Sequence, residues 1–201
     1  MGKNKEAIEP YQKALQLKPQ DPTILNNLCG AHANSGRYVE AVKSCQEAIR
    51  LKPDLAEAYN NLGWSYHQLA RYPDALQASK QAIRLQPDLA TAHYNLGNGY
   101  AALKRYQEAA ESYKQAIRIE FDYAEAHLNL GAAYNQMGRY EEAIDSYKRA
   151  LQLKPLMPEG HLNLGMTYLK MGNRGAAIEE YKVLKDLDAD MGNQLFNLIY
   201  E

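Results

Sequence analysis

The sequence is poor in the residues that favour β-strands. Valine and threonine occur three times each, phenylalanine twice and tryptophan once, whereas alanine occurs 28 times and leucine 25 times. Alanine and leucine favour helices, and strands favour β-branched and aromatic side chains. This composition argues against an all-β or doubly wound fold and predicts an all-α protein. Tyrosine is the exception among the aromatic residues, with 16 copies in 201 residues.

Cysteine is also scarce. Cys29 and Cys45 are the only two, too few for a disulfide framework or a four-ligand zinc site. Reduced thiols that pack as small side chains in a cytoplasmic protein are therefore the default expectation. The sequence repeats every 34 residues, and Cys29 and Cys45 fall in the two halves of one repeat. An internal disulfide under oxidising conditions is therefore the alternative.

Neither sign of charge prevails, and no apolar run is long. Lys and Arg number 23 against 24 Asp and Glu, so the chain has no overall field that would attract nucleic acid or an anionic membrane. No stretch approaches the roughly 18 apolar residues of a membrane span, and the first ten residues lack the apolar segment of a signal peptide. We therefore expect no nucleic-acid partner, no membrane partner and a cytoplasmic location.

A 34-residue period runs through the chain. The tripeptide Asn-Leu-Gly recurs at residues 61–63, 95–97, 129–131 and 163–165, with a variant copy at 27–29. When slot 1 of each repeat is placed at residues 22, 56, 90, 124 and 158, slot 20 is always alanine, slot 11 is tyrosine in four copies and slot 32 is mostly proline. Such self-similarity is typical of proteins whose repeats stack to bury their apolar faces.

This pattern resembles the tetratricopeptide repeat (TPR) family. The resemblance covers the whole chain and implies an all-α fold, an α-solenoid in which helix-turn-helix units form a right-handed superhelix. It divides the sequence into a half repeat with only a second helix at 1–21, full repeats at 22–55, 56–89, 90–123, 124–157 and 158–191, and a capping helix at 192–201. The half repeat includes Ala7, and its apolar side is expected to lack half its cover. Leu195, Leu198 and Ile199 fall on one helical face of residues 192–201, which is typical of a capping helix.

The repeat pattern also explains the tyrosines and glycines. Slots 11, 17 and 24 contain 12 of the 16 tyrosines, which we expect to fill the spaces between helices. Small residues at slots 8, 20 and 27 are expected to let helices approach closely. Slot 15 contains Gly36, Gly138 and Gly172, and glycine there predicts a helix end with positive φ.

Motifs for catalysis and metal binding are missing. His93, His127 and His161 occupy slot 4 of successive repeats, a spacing that does not converge on zinc, so they are interpreted as packing residues. The sequence contains no nucleophile elbow, phosphate-binding loop or paired carboxylates that stand out as acid and base. We therefore expect no enzyme activity, no catalytic residue, no metal and no cofactor.

The resemblance implies a concave groove lined by slots 2, 5, 6, 9, 12 and 13 of the first helices. Slot 6 is asparagine in every repeat, and an amide can both donate to and accept from the backbone of an extended peptide. The alternative is that asparagine serves solubility and helix geometry in this slot. The predicted peptide contacts are the five slot-6 residues Asn27, Asn61, Asn95, Asn129 and Asn163, together with Trp64, Tyr94, Asn98, Leu128, Leu162 and Met166.

These residues predict a scaffold that binds an extended or helical segment of a partner protein. The asparagine-lined groove is similar to that of the TPR domain of O-linked N-acetylglucosamine transferases, so the alternative is the substrate-recognition region of a larger enzyme such as a glycosyltransferase. A third alternative is self-association through the uncovered N-terminal half repeat. The carboxylate clamp of chaperone-binding TPR adaptors needs basic residues at slots 2 and 6, which this sequence lacks.

Overall fold

The computed structural model describes residues 8–201, so Ala7 and the rest of the predicted half repeat before Ile8 lie outside the described residues. This part of the chain contains twelve helices and no strand, which confirms the all-α solenoid class. Within it, no helix is long and apolar enough to span a bilayer. The chain divides into two compact units that meet at Lys104 and Arg105, and each unit is described by itself.

The first unit contains six of these helices and the second unit the other six. Those of the first unit are α1 Ile8–Leu17, α2 Pro22–Asn34, α3 Tyr38–Leu51, α4 Ala56–Gln68, α5 Tyr72–Leu85 and α6 Ala90–Ala102. Those of the second are α7 Tyr106–Ile119, α8 Ala124–Gln136, α9 Tyr140–Leu153, α10 Pro158–Lys170, α11 Arg174–Leu187 and α12 Ala189–Tyr200.

The first helices of the repeats lie side by side within each unit. In the first unit α2 contacts α4 and α4 contacts α6, and in the second unit α8 contacts α10 and α10 contacts α12. Within the described residues of each unit, no two second helices contact each other, although each packs on the first helices of that unit next to it in sequence. In this part of the chain, neighbouring first helices thus contact each other, whereas neighbouring second helices of a unit do not. The first helices therefore form one continuous side of each unit, which we call its first-helix face.

The turn between the two helices of a repeat depends on slot 15. Gly36, Gly138 and Gly172 have φ near +74°, as the sequence predicts. Ala70 and Lys104 occupy the same slot and take φ values of 56° and 59°, although side chains disfavour this region. The backbone N–H of the next residue then donates to the carbonyl of slot 11, as from Arg71 to Tyr66 at 2.9 Å, which closes a Schellman-type helix end.

Small and aromatic side chains fill the space between helices. Alanines at slots 20 and 27 are almost completely buried in every repeat that has them. A Cβ atom built on Gly131 would lie 2.6 Å from the ring of Tyr147, so glycine is required where that ring packs on α8. Tyr66, Tyr100, Tyr113 and Tyr134 are also buried, which confirms that these tyrosines serve packing.

The structure corrects the expected state of the cysteines. Cys29 and Cys45 form a disulfide that joins α2 to α3, and both residues are completely buried. They occupy slots 8 and 24, the two slots at which Gly63 and Ser79 also meet. Disulfides are rare in cytosolic proteins, so the cysteines no longer support a cytoplasmic location.

The two terminal helices of the described chain differ from the pattern. Ile8 of α1 is buried against Leu28 and Ala31 of α2, and Tyr11 and Leu15 are half-buried on the same side. At the other end, α12 begins only one residue after α11 and buries Gly192, Leu195 and Ile199. Of the three apolar residues that share one face of α12, Leu195 and Ile199 are buried, whereas Leu198 is 43% exposed.

Candidate functional site

Asparagine pairs link neighbouring first helices in the first unit. The side-chain Nδ2 atom of Asn61 on α4 donates to Oδ1 of Asn26 on α2 at 3.1 Å. One repeat further, Nδ2 of Asn95 on α6 donates to Oδ1 of Asn60 on α4 at 2.9 Å. In each pair slot 6 donates to slot 5 of the preceding repeat, so these asparagines hold neighbouring repeats together, a role that neither peptide binding nor solubility and helix geometry predicts.

The hydrogen bond within each pair determines which amide groups of its two asparagines are used and which are not. The bond uses one N–H of the slot-6 asparagine and the oxygen of the slot-5 asparagine. The nitrogen of Asn26 and the oxygen of Asn61 take no part in it. An amide nitrogen donates and an amide oxygen accepts, so a pair presents both kinds of group side by side. Main-chain peptide groups need this combination.

A pocket of about 240 Å³ opens beside the first of these pairs. It contains no charged residue. Asn61 and Asn26 form one side of it, and Asn27 is exposed at its edge. The complete lining is Tyr11, Asn26, Asn27, Gly30, Ala31, Asn34 and Asn61.

Aromatic side chains continue this face. Trp64 and Tyr94 are both half-buried, so part of each ring is available for contact. The ring of His67 stacks on Trp64 with centroids 5.9 Å apart and planes within 5°. Burial lowers the pKa of His67 below its ordinary value, although a hydrogen bond to the backbone of Asn98 opposes this shift.

Not every predicted contact in the first unit is exposed. Asn95 is 8% exposed and Asn98 is 9% exposed, whereas Asn61 is half-buried and Asn27 is open to solvent. The asparagines at slot 6 therefore differ in how much of each amide a partner can reach. Asn95 acts mainly through its bond to Asn60.

In the second unit the first-helix face is more apolar. Leu128, Asn129, Asn163 and Met166 are half-buried and remain accessible in part. Leu162 is buried in a cluster with Leu184 and Leu195, so little of its surface is left for a partner. A pocket of about 110 Å³ is lined by Ala132, Asn135, Gln136, Tyr147, Asn163, Met166 and Lys170.

A chain of hydrogen bonds borders this second pocket. The ammonium of Lys170 donates to Oδ1 of Asn135, whose Nδ2 donates to the hydroxyl of Thr167. Thr167 in turn donates to the backbone carbonyl of Asn163 at 2.7 Å. The chain ties α8 to α10 and places one positive charge at the rim of the pocket.

The slot-4 histidines have structural hydrogen bonds. In each case Nε2 lies 2.9–3.3 Å from the carbonyl oxygen six residues earlier and donates to it, which joins the start of a first helix to the preceding loop. The pairs are His93 with Pro87, His127 with Phe121 and His161 with Pro155. Within the described residues, no group of three His, Cys, Asp or Glu side chains could hold a metal ion.

Several residues of this face were not among the predicted contacts. Asn26, Asn60 and Lys170 occupy groove slots, but slot 5 is asparagine only in the first two repeats, so the period alone does not single it out. Tyr11 belongs to α1 and reaches the first pocket from outside the first-helix slots. The signal that could have found Asn26 and Asn60 is the occurrence of two adjacent asparagines at 26–27 and at 60–61.

Helix pairs at a 34-residue period, with their first helices side by side, define a helical-repeat protein. Models of the tetratricopeptide repeat match most of the chain: one described as TPR repeat covers residues 1–34, 97–138 and 133–172, and two described as Tetratricopeptide repeat cover 21–88 and 158–190. The first of these alone matches more than half of the sequence. The chain therefore belongs to the tetratricopeptide repeat family.

Solved structures show the same fold. The chain resembles the APC/C hetero-tetramer Cut9–Hcn1 with a TM-score of 0.89 and 22% identity, over 99% of this chain and 40% of that one. It resembles MamA with a TM-score of 0.73 and 23% identity, over 83% and 97%. It resembles YrrB, described as a TPR protein with an unusual peptide-binding site, with a TM-score of 0.73 and 21% identity, over 95% and 100%. A comparison with curated protein sequences finds no match.

Proposed function

We propose that this protein is a non-catalytic scaffold that holds an extended or helical segment of a partner protein against its first-helix faces. TPR proteins are typically scaffolds of this kind. YrrB, whose fold this chain shares, is described as having a peptide-binding site. The alternative is that this chain is the substrate-recognition region of a larger enzyme, because its asparagine-lined groove is similar to that of the TPR domain of O-linked N-acetylglucosamine transferases.

The observation that carries the proposal is the orientation of the asparagine pairs. Amides that are locked between repeats lose little side-chain entropy on binding. Each pair presents a donor and an acceptor at a spacing set by the helices, which suits the main chain of a peptide. The partly exposed rings of Trp64 and Tyr94 add side chains that are common in interface hot spots.

The charges on these faces favour protein over nucleic acid. The groove slots contain Glu57, Glu125, Glu159 and Lys170 as their charged residues. Lys154 forms an ion pair with Glu125, which leaves no excess of positive charge to neutralise phosphates.

A double variant tests this proposal without breaking the asparagine pairs. Asn60→Asp keeps the oxygen that accepts from Asn95 but replaces the amide nitrogen of Asn60. Asn163→Asp replaces the amide nitrogen of a half-buried slot-6 asparagine in the second unit, where no such asparagine pair forms. We expect this variant to fold normally and to capture at least about tenfold less partner from its native host than the wild type does. Loss of several hydrogen bonds predicts a decrease of this size.

The matched control is Gln77→Glu with Gln81→Glu. It adds the same two charges on the second helix α5, away from the first-helix face. We expect it to capture the partner as the wild type does. If the asparagine variant and this control capture equal amounts of partner, and both have normal circular dichroism spectra, the proposal is wrong.

Self-association is a second proposal with an observation of its own. Phe196, Leu198 and Tyr200 of α12 are 41–54% exposed, and large apolar side chains exposed together mark interaction surfaces. The predicted route through the half repeat is less favoured, because α2 already covers Ile8. Light scattering over a concentration series decides between them: a dimer that the change Phe196→Asp abolishes supports α12, and a monomer at all concentrations rejects both.

A further inference from the structure

Gly30 lies in the middle of α2, where glycine is costly. Glycine destabilises a helix interior relative to alanine because it loses more backbone freedom on folding. Gly63 and Gly131, at the preceding slot of later first helices, are required by packing, since a Cβ there would lie 2.6–2.8 Å from a neighbour. A Cβ on Gly30 would lie 3.8 Å from Nδ2 of Asn61, which is ordinary contact. Packing therefore does not require glycine at this position.

The position of Gly30 instead keeps a pocket open. It occupies slot 9, where the later repeats have Trp64, Asn98, Ala132 and Met166. In the first unit the missing side chain leaves the pocket of about 240 Å³ that Asn26, Asn27 and Asn61 border. The fold accepts four different side chains in this slot in the later repeats, so we explain the glycine by the space it leaves.

The lining of this pocket restricts what could enter it. A carboxylate would meet no cation and a lysine or arginine would meet no carboxylate, because every lining residue is uncharged. Burial of an unpaired charge is costly, so a charged side chain is disfavoured. Asn26 offers N–H groups and Asn61 offers its oxygen, so the complementary ligand has an acceptor and a donor on neighbouring atoms.

We propose that the Gly30 pocket is a subsite for a neutral primary amide, the side chain of a glutamine or asparagine in the bound segment. The carbonyl of this amide accepts from Asn26 and its nitrogen donates to Asn61, while Gly30 and Ala31 provide the space for its methylene groups. The proposal rests on the proposed function, because it names the side chain that the partner inserts at the first full repeat.

The test uses the full chain and three small probes. N-acetyl-glutamine methylamide, and its glutamate and lysine counterparts, are titrated into ¹⁵N-labelled protein while the side-chain amide signals of Asn26 and Asn61 are followed by NMR. We expect the glutamine probe to shift both signals and to bind about tenfold more tightly than the other two, the effect of one well-placed hydrogen bond. No shift at the solubility limit of the probe, or equal binding of all three, overturns the subsite.

Two variants separate the pocket from the rest of the face. Gly30→Met copies Met166 at the same slot and should abolish the shifts by filling the pocket, with other backbone signals unchanged. Asn26→Asp keeps the acceptor for Asn61 but exchanges the donors for a carboxylate, so the lysine probe should now bind best. Shifts that persist in the Gly30→Met protein overturn the subsite. Should that variant fail to fold, Gly30→Ala provides the same comparison with a smaller side chain.

The outcomes also separate this subsite from the proposed function. If the Asn60→Asp/Asn163→Asp protein loses its partner but the glutamine probe does not bind, the scaffold function stands and the subsite is rejected. If the probe binds but partner capture is unaffected by that double variant, the subsite stands and the scaffold function is rejected.

Discussion

The side-chain amide of Asn95 donates to Oδ1 of Asn60, 35 residues earlier, at 2.9 Å. The bond crosses from the third full repeat to the second, and Asn95 is almost completely buried where it forms. A residue that looks like a ligand contact in the sequence thus also holds two repeats together. Stability and binding can therefore be tested separately at neighbouring asparagines.

The first prediction concerns this pair. Asn95→Ala leaves the oxygen of Asn60 without its donor, so we expect a loss of about 1–3 kcal/mol in the free energy of unfolding. Asn27→Ala removes an exposed amide and should change it by less than about 0.5 kcal/mol. Urea denaturation of both variants measures the difference. Equal effects at the two positions would mean that the bond between repeats contributes nothing.

The second prediction concerns slot 15. Ala70 and Lys104 have positive φ, which costs about 1–2 kcal/mol for a residue with a Cβ atom. Ala70→Gly and Lys104→Gly should therefore each raise the free energy of unfolding by about 1 kcal/mol after the entropy of glycine is subtracted. Gly36→Ala is the reverse change and should lower it by a similar amount. The melting temperatures of the three variants check this prediction. A shift of the same sign in all three would contradict the positive φ at slot 15.

The third prediction contrasts two glycines inside first helices. Gly131→Ala would push a methyl group into the ring of Tyr147 and should destabilise the protein by about 1–3 kcal/mol. Gly30→Ala meets no close neighbour and should stabilise it by about 0.5–1 kcal/mol. Denaturation of the two variants under the same conditions checks both signs. Stabilisation by Gly131→Ala would show that α8 and α9 do not approach as closely as described.

The fourth prediction concerns the disulfide. Cys29 and Cys45 are 16 residues apart, and closing a loop of that length stabilises a protein by about 3 kcal/mol. We expect the oxidised protein to contain no titratable thiol after unfolding, and reduction to lower its melting temperature. The control is Cys29→Gly with Cys45→Ser, which copies Gly63 and Ser79 and should melt at the same temperature with and without reductant. Two free thiols in the unfolded, unreduced protein would contradict the disulfide.

The fifth prediction concerns pH. Burial lowers the pKa of His32 below its ordinary value of 6.5; the charge of Glu40 opposes this shift in part and that of Arg37 adds to it. The unfolded chain therefore binds this proton more readily than the folded one, so its contribution to stability is complete above pH 6.5 and is lost as the pH falls below that value.

The matching measurement compares the wild type with His32→Tyr, which introduces the residue found at slot 11 of the other repeats. Unfolding followed between about pH 7.5 and pH 5.5 should show a smaller acid loss for the variant, since the ordinary titration of His falls in this window. His67 and His127, whose pKa values burial also lowers, remain in both proteins. An identical pH dependence would mean that His32 is not buried in its neutral form.

Much of the fold follows from the repeat period. Slots 11, 15, 20 and 27 predict which residues are buried and where a first helix ends, because each depends on contacts inside one helix pair. The positive φ of Ala70 and Lys104 could be predicted only from their slot, since neither residue favours it by itself. The sequence places Leu198 on the same face of α12 as Leu195 and Ile199, yet it is 43% exposed where they are buried, so a shared helix face does not by itself predict burial.

The site was less predictable than the fold. The period shows that slot 6 is asparagine, but the direction of each amide depends on the slot-5 residue of the preceding repeat and on how the first helices are spaced. The disulfide depends in the same way on slots 8 and 24 meeting across a helix pair, which the contact between Gly63 and Ser79 shows in the next repeat. Both features are contacts between elements, and a single sequence does not give their geometry.

The central claim is that a partner segment lies on the first-helix face. Its most direct test is photo-crosslinking in the native host, with a photoreactive phenylalanine derivative at position 94 on α6 or at position 77 on α5. We expect one partner protein to be crosslinked from position 94 and not from position 77. Crosslinking of that partner from position 77 alone would contradict it.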